Sequence, residues 1–154
     1  MLIRPATPLD AQGMSDVINQ IFAAGLRKTD GDVAMVLSTY IEHRDRIECS
    51  VAQADDGQIL GFQSLRYART DNPYGTPEGW GIIGTHVSPL AARKGVGSAL
   101  FQSTLVAAKA YPVENIEAGI GADSAMALGY YEAMGFRTHR ISDSMNYKVY
   151  RLSE

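Results

Sequence analysis

The segment from Trp80 to Phe101 constrains the fold more than any other part of the sequence. It reads WGIIGTHVSPLAARKGVGSALF: an apolar run, a proline, two cations, two glycines and a second apolar run. Proline cannot donate a backbone hydrogen bond, so Ser88-Pro89 ends a predicted strand. The run after Gly97 has helical spacing. A strand therefore passes through a glycine loop into a helix, an arrangement that suits an anion at the helix N-terminus.

The spacing of apolar residues divides the rest of the chain into short strands and helices. Alternation predicts strands in LIRPA, RIECSVAQ, QILGFQSLRYA, NIEAGIGA, FRTHRI and SMNYKVYRL. Three- and four-residue steps predict helices after TPLD, in DGDVAMVLSTYIEHR and in SAMALGYYEAM. This order predicts an α/β fold with a mixed sheet of about seven mostly antiparallel strands, a central parallel crossover and about four flanking helices. The polar run RTDNPYGTPEG is predicted to be a long loop that lines a site.

Composition and charge disfavour several classes of protein. The 154 residues are 45% hydrophobic and 20% charged, which suits one globular domain over residues 1–154. The net charge of -3 disfavours a general binder of nucleic acid or of an anionic membrane. The single cysteine and three dispersed histidines have no metal-ligand spacing, and no signal-peptide or membrane-helix pattern occurs. We expect a metal-free cytoplasmic protein with no nucleic-acid or membrane partner.

Three types of phosphate-binding loop have to be distinguished here. A Walker loop places its lysine after the last glycine, whereas Lys94 precedes Gly95. A dinucleotide fingerprint needs a third glycine where Leu100 stands, and GWGIIG at Gly79–Gly84 matches it only inside a predicted strand. The third type is a loop whose main-chain amides wrap a diphosphate.

This third type resembles the loop of the GNAT family of acyl-CoA-dependent N-acyltransferases. The matches are Val87-Ser88-Pro89 at a strand end, the family's Arg/Gln-x-x-Gly-x-Gly/Ala as Ala92–Gly97, and YEAMGF from Tyr131 to Phe136. The segments IRPATPLDA and IEAGIGADSAMALGYYEAMGF are similar to the phosphinothricin and amino-acid N-acetyltransferase branch. The resemblance implies transfer from acetyl-CoA, as co-substrate, to a small-molecule primary amine, an amino acid or analogue being favoured. A non-catalytic acyl-CoA-binding module and an acetyltransferase of protein N-termini or lysines stay open.

The resemblance also implies roles for individual residues. Cofactor contacts are expected from the strand end and the glycine loop: Thr85, His86, Val87, Arg93, Lys94, Gly95, Val96, Gly97 and Ser98. Tyr131 is implied to be the general acid that protonates the departing thiolate of CoA. His86, a water chain or a base from the substrate loop is expected to accept the proton of the amine. Family members often pair through their terminal strands, so a homodimer is expected.

The chain departs from the family pattern in three places. Ala92 stands where arginine or glutamine is usual, so a side-chain contact is lost while the amides are kept. Ser124 stands where many members have asparagine, and we include it among the expected CoA contacts. Gly81–Ile83 occupy the strand positions where relatives often carry a glutamate or histidine base. The general base is therefore not assigned by the motif.

Other polar residues receive mainly structural interpretations. Glu78, Glu117 and His139 are candidates for the missing base, but we expect their side chains to be solvated. Tyr130 and Tyr131 are adjacent in a predicted helix and point in different directions. We therefore expect only one of these two tyrosines to face the interior.

Overall fold

A computed structural model describes residues 1–152 and places seven strands in one mixed sheet. The strands are β1 Leu2–Pro5, β2 Arg46–Gln53, β3 Ile59–Tyr67, β4 Gly81–Val87, β5 Asn115–Gly121, β6 Arg137–Ile141 and β7 Met145–Arg151. Their order across the sheet is β1-β2-β3-β4-β5-β7-β6. Among the described strands, β4 and β5 are the one parallel pair. The predicted mixed sheet and its parallel crossover are confirmed.

The helices follow in the predicted order. They are α1 Ala11–Ala23, α2 Val33–Val36, α3 Val96–Ala110 and α4 Ala125–Met134. A capping box between Thr7 and Asp10 supports the 3-10 turn that leads into α1, and the π-helical turn Leu37–Ile41 continues α2. Within residues 1–152, no helix is both long enough and apolar enough to cross a membrane.

The described residues form three apolar clusters, of which the two largest lie on opposite faces of the sheet. Phe62 and Leu65 are three positions apart on β3, so their side chains point to opposite faces. Phe62 packs with residues of α1 and α2, such as Met14. Leu65 packs with residues of α3 and with Phe136, which follows α4. The face under α1 and α2 is therefore distinct from the face under α3 and α4.

An opening divides the sheet between β4 and β5. The two strands pair at only two positions, Gly81 with Ile116 and Ile82 with Glu117. On its other side β4 is paired with β3 over its whole length. From Ile83 onward, the edge of β4 that faces β5 therefore has no strand partner, and its backbone groups are available to a ligand.

Candidate active site

A cleft of about 1010 Å³ lies at this opening. Its walls come from the end of β4, the glycine loop, the start of α4, the loop after α1 and the turn before β7. Most of the predicted site residues line it: Thr85, Val87, Arg93, Gly95, Val96, Gly97, Ser98, Ser124 and Tyr131. Lys94 and His86 are not among the lining residues.

The glycine loop has a backbone suited to an anion. Arg93 and Gly95 have left-handed conformations, with φ of 63° and 77°, and such turns aim neighbouring amides into a concave surface. Gly95 is the N-cap of α3, whose first amides have no carbonyl partner within the helix. The positive end of the helix dipole adds to them. Together these groups suit a phosphate or diphosphate.

Tyr130 packs directly against the glycine loop. Its hydroxyl donates a 2.8 Å hydrogen bond to the carbonyl oxygen of Gly97, and a Cβ atom at position 97 would lie 2.6 Å from its ring. Gly97 therefore permits close packing as well as access to the amides. The expectation that only one tyrosine faces inward is wrong, because the Tyr130 hydroxyl contacts Gln63 of β3 at 3.0 Å and the Tyr131 hydroxyl contacts Thr85 of β4 at 2.8 Å.

Tyr131 lies where a proton donor is expected. Its side chain is 6% exposed, and its hydroxyl is 2.8 Å from Oγ1 of Thr85 on β4. Burial raises the pKa of Tyr131 above its usual value, although the hydrogen bond with Thr85 acts in the opposite direction. The hydroxyl therefore keeps its proton throughout the neutral range and can donate a hydrogen bond.

Gln63 joins the two tyrosines and was missed by the sequence reasoning. This fully buried side chain donates to Oγ1 of Thr85 at 2.9 Å and to the Tyr130 hydroxyl at 3.0 Å. Its carbonyl oxygen accepts from Thr104 of α3 at 2.5 Å. The sequence signal that could have identified Gln63 is its position two residues before Leu65, on the same face of an apolar strand.

His86 lies on the opposite face of β4 from Thr85, because side chains alternate along a strand. Its ring stacks on Phe62 at 4.6 Å and meets the edge of Tyr40 at 5.5 Å. Its Nε2 is 3.4 Å from a guanidinium nitrogen of Arg27, and within residues 1–152 its buried Nδ1 has no partner. Burial, assisted by Arg27, lowers the pKa of His86 to about 3. Its role as a base stays a prediction, and these surroundings disfavour it.

Glu117 differs from the expected solvated side chain, since it is only 1% exposed. It accepts hydrogen bonds from Arg140 at 2.8 Å and Thr76 at 2.7 Å, and its other oxygen is 2.5 Å from Nε2 of His139. Burial alone would raise the pKa of Glu117, but these hydrogen bonds outweigh it and the pKa is lowered. Glu78 is exposed, as expected. The Glu117 contacts tie the loop before β4 to the sheet.

Comparisons with known proteins identify the family that has this arrangement. A model of the acetyltransferase (GNAT) family matches residues 16–136. The chain belongs to the GNAT family. It is thus an acetyltransferase, as the resemblance of its motifs implied. A search of curated proteins finds no match.

Solved structures of other GNAT-like proteins have the same fold. One is a ribosomal-protein-alanine N-acetyltransferase from Brucella melitensis, with TM-score 0.78 and 20% identity over 99% of this chain and 100% of that one. Another is a phosphinothricin acetyltransferase from Sinorhizobium meliloti in complex with acetyl-CoA, with TM-score 0.76 and 18% identity over 98% and 88%. A GCN5-related N-acetyltransferase from Kribbella flavida gives TM-score 0.80 and 18% identity over 98% and 97%. Identities this low establish the shared fold alone.

Proposed function

We propose that this GNAT protein transfers an acetyl group from acetyl-CoA directly to the primary amine of a small molecule, an amino acid or analogue being favoured. The observation that supports this function most directly is that a single cleft is lined by the glycine loop and by the hydrogen-bonded pair Tyr131 and Thr85. The amides of Gly95–Ser98 bind the diphosphate, and Arg93, Lys94 and Ser124 add contacts. The phosphinothricin acetyltransferase with bound acetyl-CoA has this fold, which supports the proposal.

The unpaired edge of β4 positions the reactive end of the cofactor. Backbone groups of Thr85, His86 and Val87 hydrogen-bond the amides of the pantetheine arm, much as a neighbouring strand would. The thioester then lies beside Tyr131, inside the opening of the sheet. Holding both reactants in this orientation lowers the barrier by removing much of the entropy loss of a bimolecular step.

The reaction needs one new bond and one broken bond. The neutral amine attacks the thioester carbonyl carbon, the C–S bond breaks, and the sulfur leaves as a thiolate. Thr85 accepts from Gln63 and can donate to Tyr131, so the Tyr131 proton is free to hydrogen-bond the departing sulfur. The proton that the amine loses passes to water in the cleft and finally balances the thiolate.

Release of free thiol from acetyl-CoA with a panel of amines tests this function. We expect Tyr131→Phe to lower kcat by about 10²-fold or more, since a hydrogen-bond donor to a developing negative charge contributes on that scale. Its affinity for CoA, measured by calorimetry, should stay unchanged. Tyr111→Phe is the matched control, because Tyr111 is exposed and lies outside the cleft. Absence of thiol release with every amine would refute the proposal.

Two alternatives give different results in the same experiments. A non-catalytic acyl-CoA-binding module would bind CoA without turnover in either the wild type or Tyr131→Phe. An acetyltransferase of protein N-termini or lysines would act on peptides and leave free amines unchanged. Because the chain shares its fold with a ribosomal-protein-alanine N-acetyltransferase, peptides are tested as acceptors beside the free amines.

We further propose that residues 1–154 form one domain that works as a cytoplasmic homodimer, with no metal, nucleic-acid or membrane partner. The acidic total charge of -3 supports the absence of a nucleic-acid partner. Light scattering after size exclusion measures the oligomeric state. A mass of one chain, 16.7 kDa, would contradict the dimer.

A further inference from the structure

A chain of hydrogen bonds connects the glycine loop with Tyr131. The hydroxyl of Tyr130 donates to the carbonyl oxygen of Gly97 at 2.8 Å and accepts from the amide of Gln63 at 3.0 Å. The same amide nitrogen donates to Oγ1 of Thr85 at 2.9 Å, and this oxygen is 2.8 Å from the hydroxyl of Tyr131. Apart from Gln63, which is fully buried, all these residues line the cleft. The chain therefore joins the proposed diphosphate site to the proposed proton donor.

The carbonyl group of Gly97 sets the direction of the first part of this chain. A carbonyl oxygen can only accept, so the single hydroxyl proton of Tyr130 is used on Gly97. Tyr130 must then accept from Gln63, which turns the NH2 group of this amide toward Tyr130 and Thr85. The amide carbonyl of Gln63 faces the other way and accepts from Thr104 of α3 at 2.5 Å. The opposite orientation of the amide would place two acceptors against one proton at Tyr130.

This direction makes Thr85 a better donor than acceptor toward Tyr131. The amide of Gln63 already occupies one lone pair of the Thr85 hydroxyl, whose own proton stays free. Hydrogen bonds in a chain polarise one another, so accepting from an amide strengthens this hydroxyl as a donor. When Thr85 donates to Tyr131, the Tyr131 proton is left for a group in the cleft. Without the amide, Thr85 would accept from Tyr131 as readily as it donates to it.

Tight packing surrounds this chain of hydrogen bonds. The ring of Tyr130 fills the space beside Gly97, where a Cβ atom would lie 2.6 Å from it. The same ring meets the ring of Tyr131 edge-on, with 4.9 Å between the ring centres. Thr104, which fixes the amide of Gln63, is also fully buried. The loop, the amide and the two tyrosines are therefore held together as one packed unit.

We propose that Gln63 and Tyr130 are positioning residues, which couple the diphosphate-binding loop to the proton donor Tyr131. The inference rests on the proposed function. Gly97 then has two tasks, because its amide faces the diphosphate while its carbonyl orients Tyr130. A bound diphosphate that holds the start of α3 thereby also holds the Tyr131 proton in position for the sulfur. Neither Gln63 nor Tyr130 exchanges a proton with the reactants, and each acts by holding another group.

Double-mutant cycles with Tyr131→Phe test whether both residues act through Tyr131. Gln63→Met keeps an unbranched side chain and removes both donors, whereas Tyr130→Phe keeps the ring and removes the hydroxyl. Each change should lower kcat for thiol release by about threefold to tenfold, the scale of one neutral hydrogen bond. In the Tyr131→Phe background, neither change should lower kcat further. Equal losses in the two backgrounds would overturn the inference, since a merely structural role predicts them.

Calorimetry with CoA tests the other end of the chain. Tyr130→Phe releases the carbonyl of Gly97, so the Kd for CoA should rise by about threefold to tenfold. The same rise is expected in the Tyr131→Phe background, where kcat no longer responds. This division between Kd and kcat distinguishes positioning from a general loss of stability, which the unfolding temperature measures separately.

Two matched controls lie outside the cleft. Tyr150→Phe also removes a hydroxyl from the apolar core around Phe101, because Tyr150 packs edge-on against that ring. Gln53→Met also removes an amide from a strand, since Gln53 is the last residue of β2. Both controls should keep the kcat and the Kd of the wild type.

If no amine releases thiol, the proposed function fails, and the coupling is then judged by CoA binding alone. Gln63 reaches the carbonyl of Gly97 through Tyr130. The double variant Gln63→Met/Tyr130→Phe should therefore bind CoA no more weakly than Tyr130→Phe. That result supports the coupling. An unchanged Kd in Tyr130→Phe, or a further rise in the double variant, overturns it.

Discussion

Among single residues, Thr85 has the most informative contacts. It accepts a hydrogen bond from the amide of Gln63, which is itself fixed by Thr104 of α3. Its own hydroxyl can then donate to Tyr131. When Thr85 donates in this way, the proton of Tyr131 is left for a group in the cleft. A preorganised donor of this kind needs no rearrangement when charge develops on the sulfur.

The raised pKa of Tyr131 gives a prediction for high pH. An ordinary tyrosine loses its proton near pH 10, and burial moves the pKa of Tyr131 above that value. The donor form is thus present at all lower pH values and is lost only as pH rises through the raised pKa. We expect kcat to show no descending limb up to about pH 10. A profile of kcat from pH 6 to 10 that falls in the wild type, but stays flat in Tyr131→Phe, would contradict this.

His86 predicts a pH dependence of stability. Its pKa falls from 6.5 in the unfolded chain to about 3 in the folded protein, because burial and Arg27 disfavour the cation. Below pH 6.5 the unfolded state therefore binds a proton that the folded state does not, and stability is lost as pH falls. Between pH 6.5 and pH 5 this amounts to about 2 kcal/mol. Urea unfolding should show that much less pH dependence in His86→Gln, whereas equal slopes would argue against a buried neutral ring.

In the glycine loop, Gly95 and Gly97 are glycine for two different physical reasons. Gly95 has φ of 77°, and no atom lies within 4 Å of the place that a Cβ would take, so its requirement is conformational. Gly97 has an ordinary helical position, and its requirement is the space taken by Tyr130. The spacing of the two glycines was visible in the sequence. The partner that explains Gly97 was not, because it comes from another helix.

Gly95→Ala tests the conformational requirement. A left-handed alanine costs roughly 1–2 kcal/mol, and the loop should relax away from the conformation that aims its amides into the cleft. We expect the Kd for CoA to rise about tenfold by calorimetry, the equivalent of about 1.4 kcal/mol. Gly57→Ala is the control, since Gly57 has φ of 91° in the turn between β2 and β3. It should lose similar stability with no change in the Kd, and equal losses of affinity would disprove the role of the loop.

Element order and motif positions could be predicted from the sequence because they depend on local periodicity. Contacts between residues on different strands and loops could not be predicted in this way. Alternation along β6 places His139 and Arg140 on opposite faces, yet an irregularity in the pairing with β7 between Thr138 and Arg140 lets both reach Glu117. The signal for Glu117 was a charge between apolar neighbours on β5. Its burial depends on three partners from two distant segments, which no single-sequence pattern specifies.

For the whole molecule, the decisive feature is a sheet that separates at its centre. Because β4 and β5 pair only at Gly81–Ile82, a ligand can lie between them and be reached from both faces. One face holds Tyr131, and the other holds His86 with Arg27 beside it. The proposed direct transfer uses this opening, with the thioester of the cofactor between the strands and its sulfur beside Tyr131.

A crystal structure with acetyl-CoA measures this arrangement most directly. The account predicts diphosphate oxygens within hydrogen-bond distance of the amides of Gly95–Ser98, and the thioester sulfur beside the Tyr131 hydroxyl. It also predicts hydrogen bonds between the pantetheine amides and the free edge of β4. A cofactor bound elsewhere, or a sulfur remote from Tyr131, would contradict the central claim that the opening between β4 and β5 is the site of transfer.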